Sequence, residues 1–234
     1  MTEARYGILS KRAFLQTAGF GALTTLLAPV LRAGGQSPTA PSPIGADQAL
    51  QKLIEGNRRH LSGEFTITQR LAERRQQVAK AQHPFAAILG CSDSRLPPEI
   101  VFDHSLGDLF VVRVAGNIVD MNGLASLEFA VTQFGTPLIL VLGHARCGAV
   151  AAALAESKVP GHIVSLVDAI KPSVAMSKGQ PGDSLDNAIR ANIRRTVEDL
   201  RTSQPILGDL VKAGTLKVVG ALYSLDTGKV DLVA

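Results

Sequence analysis

The chain has 234 residues, enough for one sizeable domain with its own core, and a formal charge of +4 at neutral pH. The first 33 residues hold Arg5, Lys11, Arg12 and Arg32 against Glu3, which is +3 and leaves +1 for the rest. A nearly neutral body argues against nucleic acid as a partner, and the absence of tryptophan argues against aromatic cages and stacking platforms.

Lys11 and Arg12 precede a moderately apolar run, Ala13 to Leu31, and a small-residue stretch, Ala33 to Pro43. A charged start, an apolar middle and a small-residue end form the plan of a secretory signal peptide. Ser10 to Gln16, S-K-R-A-F-L-Q, resembles a twin-arginine export signal, with Lys11 where the first arginine belongs. Residues 1–33 are therefore expected to be a signal peptide read by export machinery, with an exported, periplasmic destination. An uncleaved membrane anchor is the alternative, weakened by the run's glycines and polar residues. No cysteine lies near the run, which excludes a lipoprotein.

Residues 34–46 read as a linker and 47–234 as one domain. Asp47 offers a cap to an amphipathic helix carrying Leu50, Leu53, Ile54 and Asn57. Thr68 to Ala81 reads as a second, strongly charged helix. Strands and helices then alternate. Phe85 to Leu89, Leu109 to Val114, Pro137 to Leu142 and Leu216 to Tyr223 read as strands. Gly123 to Phe134, Ile163 to Ser177 and Asp183 to Ser203 read as helices, with another starting at or just after Cys147. Thr227-Gly228 turns the last strand into a hairpin with Lys229 to Val233. The expected fold is α/β: a mostly parallel central β-sheet flanked by helices, with an antiparallel edge hairpin.

The first buried strand ends at Gly90 and presents Cys91, Asp93 and Arg95 at alternate positions. The third runs into Gly143, His144, Ala145, Arg146, Cys147 and Gly148, so His144 and Cys147 form H-x-x-C. Parallel sheets place ligands at these carboxyl ends. Two thiolates and an imidazole are good zinc ligands, and a carboxylate can be the fourth. Cys91 and Cys147 are the only cysteines, so the competing expectation is a disulfide between them. Extended backbone would put Cys91, Asp93 and Arg95 on one side, where Arg95 can grip the carboxylate in a two-pronged hydrogen bond. A surface salt bridge is the plainer reading of that pair. Gly116, Asn117 and Gly148 are candidates for close approach to a metal or small substrate, or for ordinary turn chemistry.

C-S-D-S-R at Cys91 to Arg95 with G-H-A-R-C-G-A at Gly143 to Ala149 resembles the β-class carbonic anhydrases. The likeness continues through Pro98 to Asp103, Gly107 to Asn117, Leu127 to Val131 and Gly220 to Val230. It covers about Asp47 to the C-terminus. It implies one zinc per chain on Cys91, His144 and Cys147, and reversible hydration of carbon dioxide to bicarbonate by zinc-bound hydroxide. In the family the Asp93–Arg95 pair has two arrangements: Asp93 fills the fourth zinc position, or Arg95 holds it away and Asp93 orients the nucleophile. The resemblance also implies a homodimer or homotetramer embraced by the N-terminal helices. The same site on a carbon disulfide or carbonyl sulfide hydrolase, or a zinc protein without turnover, are the other expectations.

Two positions depart from the family. His104 stands where relatives tend to have Gln, and is either a proton carrier near the pocket mouth or an exposed histidine without a role. Ala145 replaces a frequent Ser or Thr and removes one hydrogen bond near the ligands. His60, His83 and His162 read as surface residues.

Overall fold

The computed structural model describes residues 42–234; the signal-peptide expectation for residues 1–33 and most of the linker lie outside the described residues. The first helix, α1 (Ala46–Ser62), starts one residue before Asp47, with Gly45 as its cap, and buries Ala49, Leu53, Gly56 and Asn57. The second, α2 (Leu71–Val78), is shorter than the charged stretch suggested and buries nothing, so no packing extends it.

The parallel strands are β1 (Ala86–Gly90), β2 (Leu109–Arg113), β3 (Leu138–His144) and β4 (Lys217–Tyr223). The edge strand β5 (Val230–Leu232) pairs antiparallel with β4. Every residue of β1 and β3 is buried, as their unbroken apolar runs require. β3 runs two residues further than expected, so His144 is itself a strand residue. Between β1 and β2 lies a short helix, α3 (Pro98–Val101), which the sequence reading missed. After β2 come a 3-10 turn, Ala115–Asn117, and α4 (Met121–Gln133), whose cap Asp120 accepts the Gly123 amide. After β3 come α5 (Gly148–Leu154), α6 (Ile163–Ser177) and α7 (Ser184–Thr202); Asp183 caps α7. A short α8 (Leu207–Lys212), also unexpected, leads into β4.

The strand order is β2-β1-β3-β4-β5. After β2 the chain returns across β1 to lay down β3 on its other side. β1 and β3 therefore flank a topological switch point, where the strand ends leave a crevice for ligands. Helices cover both faces. Leu140 of β3 meets Leu50 and Leu53 of α1 around one small apolar cavity. On the opposite face Ile193 of α7 sits against Gly143 and Gly220, where an added Cβ would lie 2.6 Å from its side chain at either position. The two glycines let α7 settle between β3 and β4.

Candidate metal centre

Cys91 follows the last residue of β1, and His144 ends β3. Cys147 closes the loop that follows and precedes the first residue of α5. That loop is pinned at both ends. The Ala145 amide donates to the Tyr223 carbonyl at 2.9 Å, and Arg146 takes φ +55° to turn the chain. The Arg146 guanidinium grips Asp226 through two bonds of 2.7 and 2.9 Å. The Cys91 loop is held by Arg113 at the end of β2: its Nε donates to the Cys91 carbonyl at 3.0 Å and its Nη2 to the Asp93 carbonyl at 2.6 Å.

Sγ of Cys91, Sγ of Cys147 and a ring nitrogen of His144 lie within 4.8 Å of one another, and all three residues are buried. The cysteines are free thiols with sulfurs 4.0 Å apart, so the disulfide expectation is not met. Two thiolates at about 2.3 Å from one tetrahedral ion stand about 3.8 Å apart, close to the observed spacing. His144 Nδ1 is engaged with the Ala145 carbonyl at 2.9 Å, while the buried Nε2 has no partner. A buried imidazole nitrogen without a partner costs free energy unless something binds it. Engagement of the other nitrogen is how metal-ligating histidines are usually fixed. The donor set fits a metal ion.

The electrostatics agree. The hydrogen bond from Cys147 is the main influence that pulls the Cys91 thiol well below its usual range, against burial; the His144 ring and the Gly116 and Asp93 amides add to it. The same contact, with burial, pushes the Cys147 thiol up. Burial alone would lower the His144 pKa, but the nearby Cys91 sulfur, the Ala145 carbonyl and the Asp93 charge outweigh it and raise it. Two thiols and an imidazole thus compete for protons that a dication would displace.

Asp93 stands at the rim. Its Oδ2 is 3.8 Å from His144 Nε2, yet both carboxylate oxygens are taken by Arg95. Nε donates to Oδ1 at 2.9 Å, Nη2 to Oδ2 at 2.8 Å, and the Arg95 amide to Oδ1 at 3.0 Å. The Arg95 hydrogen bond is the main reason the carboxyl is held far below the usual carboxylate range. The pair is therefore the two-pronged clamp expected from the spacing.

Of the three residues expected to approach a metal or small substrate, Gly116 sets its amide on Cys91 Sγ at 3.2 Å. Asn117 is buried at φ +44° with its Nδ2 unpartnered, and Gly148 is exposed with open space about its Cα. His104 is neither exposed nor beside the metal ligands. It is buried, edge-on to Phe85, with Nε2 3.3 Å from the Lys52 carbonyl and Nδ1 3.7 Å from Asp108. His60 is not a plain surface residue: it packs against Phe65 and Tyr223, and its Nδ1 is buried without a partner. Sequence reasoning missed Arg113, because only the parallel register that sets Gly90 beside Arg113 brings it to Cys91.

Three converging sulfur and nitrogen donors at the switch point of a parallel sheet, with an arginine-held carboxylate beside them, form a cluster that could hold a metal ion in an α/β protein. Residues 86–230 match the family model described as carbonic anhydrase. The chain is 38% identical over 195 residues to carbonic anhydrase 2 of Mycobacterium tuberculosis, across 82% of this chain and 93% of that one. A carbonic anhydrase of Mycolicibacterium smegmatis matches equally, at 38% over the same shares. Among solved structures, the Coccomyxa β-carbonic anhydrase in complex with acetazolamide superposes with a TM-score of 0.65 at 29% identity, over 79% of this chain and 86% of that one. The β-carbonic anhydrase CcaA gives 0.60 at 28%, over 79% and 98%. The chain belongs to the β-carbonic anhydrase family.

Proposed function

We propose that the chain hydrates carbon dioxide reversibly to bicarbonate and a proton, with one zinc ion on Cys91, His144 and Cys147. The observation that carries this reading is the convergence of two thiols and an unpartnered imidazole within 4.8 Å, beside a carboxylate under arginine control. Zinc, when bound, supplies a hydroxide nucleophile near neutral pH by acidifying water. The protein's residues do the rest. Two thiolates cancel the charge of the dication and fix its position. Arg95 keeps Asp93 ionised and occupied, so Asp93 acts as a hydrogen-bond acceptor at the rim instead of a fourth ligand. Asn117 keeps an uncommitted donor, its Nδ2. The test is stopped-flow carbon dioxide hydration on metal-analysed protein, with carbon disulfide and carbonyl sulfide in parallel. Hydration with one zinc per chain is expected; turnover of the sulfur compounds alone would replace this reading.

The chain acts outside the cytoplasm as a homodimer or homotetramer. The leader Ser10 to Ala33 supports export, with the mature chain starting between Ala33 and Asp47. N-terminal sequencing of protein from the cell envelope checks it, and intact Met1 in soluble cytoplasm would contradict it. An apolar groove lined by Phe65, Leu71, Ile100 and Leu106, each an exposed hydrophobic side chain, supports self-association. Light scattering of the purified protein reads the oligomer directly.

A further inference from the structure

The Gly116 amide that donates to Cys91 Sγ is not free to move, and what holds it comes from a distant part of the chain. Gly116 sits at φ +74°, and an added Cβ would lie 2.7 Å from Ile170 and 3.3 Å from Ala149. Its carbonyl accepts a bond of 2.7 Å from Asn192 Nδ2 on α7. Asn192 Oδ1 in turn accepts the Ser173 hydroxyl of α6 at 3.1 Å. The following Asn117 amide donates to the Val114 carbonyl at 2.8 Å, so the peptide between Gly116 and Asn117 is fixed on both its edges. Ser173 and Asn192 are themselves buried, at 0% and 2% exposure. The two bonds settle which end of the Asn192 amide faces which partner. Polar side chains at that depth cost stability unless their bonds are made, and a leucine would fill the space between α6 and α7 without them.

We propose that Asn192 is a positioning residue of the metal centre: seated by Ser173, it locks the Gly116 turn so that the Gly116 amide stays on the Cys91 sulfur. This rests on the reading that Cys91 is a metal ligand. A thiolate that accepts an N–H bond donates less charge to its metal, so the ion is left a stronger acid than two bare thiolates would leave it. The line Ser173–Asn192–Gly116–Cys91 thus connects α6 and α7 to one ligand of the site.

Cobalt(II) replaces zinc as the probe, because thiolate-to-cobalt charge-transfer absorption reads sulfur charge directly and needs no turnover. Wild type, Asn192→Leu and Ser173→Ala are loaded with cobalt to one ion per chain and their absorption spectra compared. Loss of the bond makes the sulfur richer in electrons, so the band should move to longer wavelength in Asn192→Leu and by less, in the same direction, in Ser173→Ala. Ser173→Ala removes only the outer bond and keeps the test available if Asn192→Leu does not fold. Bands at the wild-type position in every variant that folds would overturn the proposal. A wild type with no thiolate-to-cobalt band at all would instead overturn the metal assignment, and this inference with it.

Discussion

Asp93 and Asp103 are both clamped by arginine, and they are built for opposite ends. Asp93 is held by one residue, Arg95, two positions away on the same loop, and that arginine side chain is 56% exposed. Asp103 has a side chain with no exposure at all and takes donors from two segments: the Arg59 side chain of α1, and the Thr66 amide, the Thr66 hydroxyl and the Ile67 amide, the last three at 2.7 Å. One clamp can be released by a single side-chain rotation into solvent. The other cannot open without unseating the end of α1 and the segment after it. A carboxylate beside a metal site needs the first kind of restraint, and a carboxylate that fastens the end of α1 and the segment after it to the turn behind α3 needs the second.

The comparison breaks most completely if the metal goes. Cys147→Ala should lose most of the zinc and with it essentially all hydration, because one of three donors and one of two compensating charges disappear. Metal analysis by mass spectrometry with a parallel activity assay reads this. Zinc retained at one per chain would show that the ion sits elsewhere. Asp103→Ala should next cost on the order of 3 kcal/mol in denaturant unfolding, since buried donors and a cation lose their acceptor. The folded fraction should still bind one zinc. An unchanged midpoint would mean that the Asp103 knot is not a fastening.

The same knot predicts a pH effect. Burial works to raise the Asp103 pKa, but Arg59, Thr66 and Ile67 together lower it below its ordinary value. The folded-state pKa therefore lies below the unfolded one. The stabilisation is complete above the unfolded value of about 4 and is lost as pH falls through the folded value. Unfolding curves of wild type and Asp103→Asn should converge as the pH drops below about 4 and differ by a constant amount above it. A gap that persists unchanged into strong acid would assign the stabilisation to something other than the charge. The smallest effect belongs to Thr66→Val, which removes one hydroxyl among several donors and should cost about 1 kcal/mol.

Much of this was legible in the sequence, and what was hidden has a common cause. The runs of β1 and β3 are apolar throughout because both faces are covered, and apolar runs ending in Gly-Cys and Gly-His announce a site at the strand ends. Asp93 and Arg95 are two residues apart, so their pairing follows from local chain geometry. Asn192 is 76 residues from the glycine it holds. Arg113 reaches Cys91 only through strand register. Asp103 lies inside the family-like string Pro98 to Asp103, yet its partners, Arg59 and Thr66, are fixed by how α1 docks, which no period in the sequence encodes. His104 and His60 were misplaced for the same reason: burial of a single polar residue is a tertiary fact. The charged stretch Thr68 to Ala81 forms a helix only over the 8 residues of α2, none of them buried, so no packing carries the helix further.

The central claim is that Asp93 serves the reaction while Cys91, His144 and Cys147 alone hold the metal. Stopped-flow hydration of carbon dioxide by metal-analysed Asp93→Asn tests it most directly. Asparagine keeps the shape, cannot be gripped as a carboxylate by Arg95, and presents a donor where an acceptor is needed. The account predicts one zinc per chain with hydration reduced about 100-fold or more, the usual range for losing a positioned acid–base group. Zinc at one per chain with hydration at the wild-type rate would contradict it and leave Asp93 as a loop residue that happens to meet an arginine.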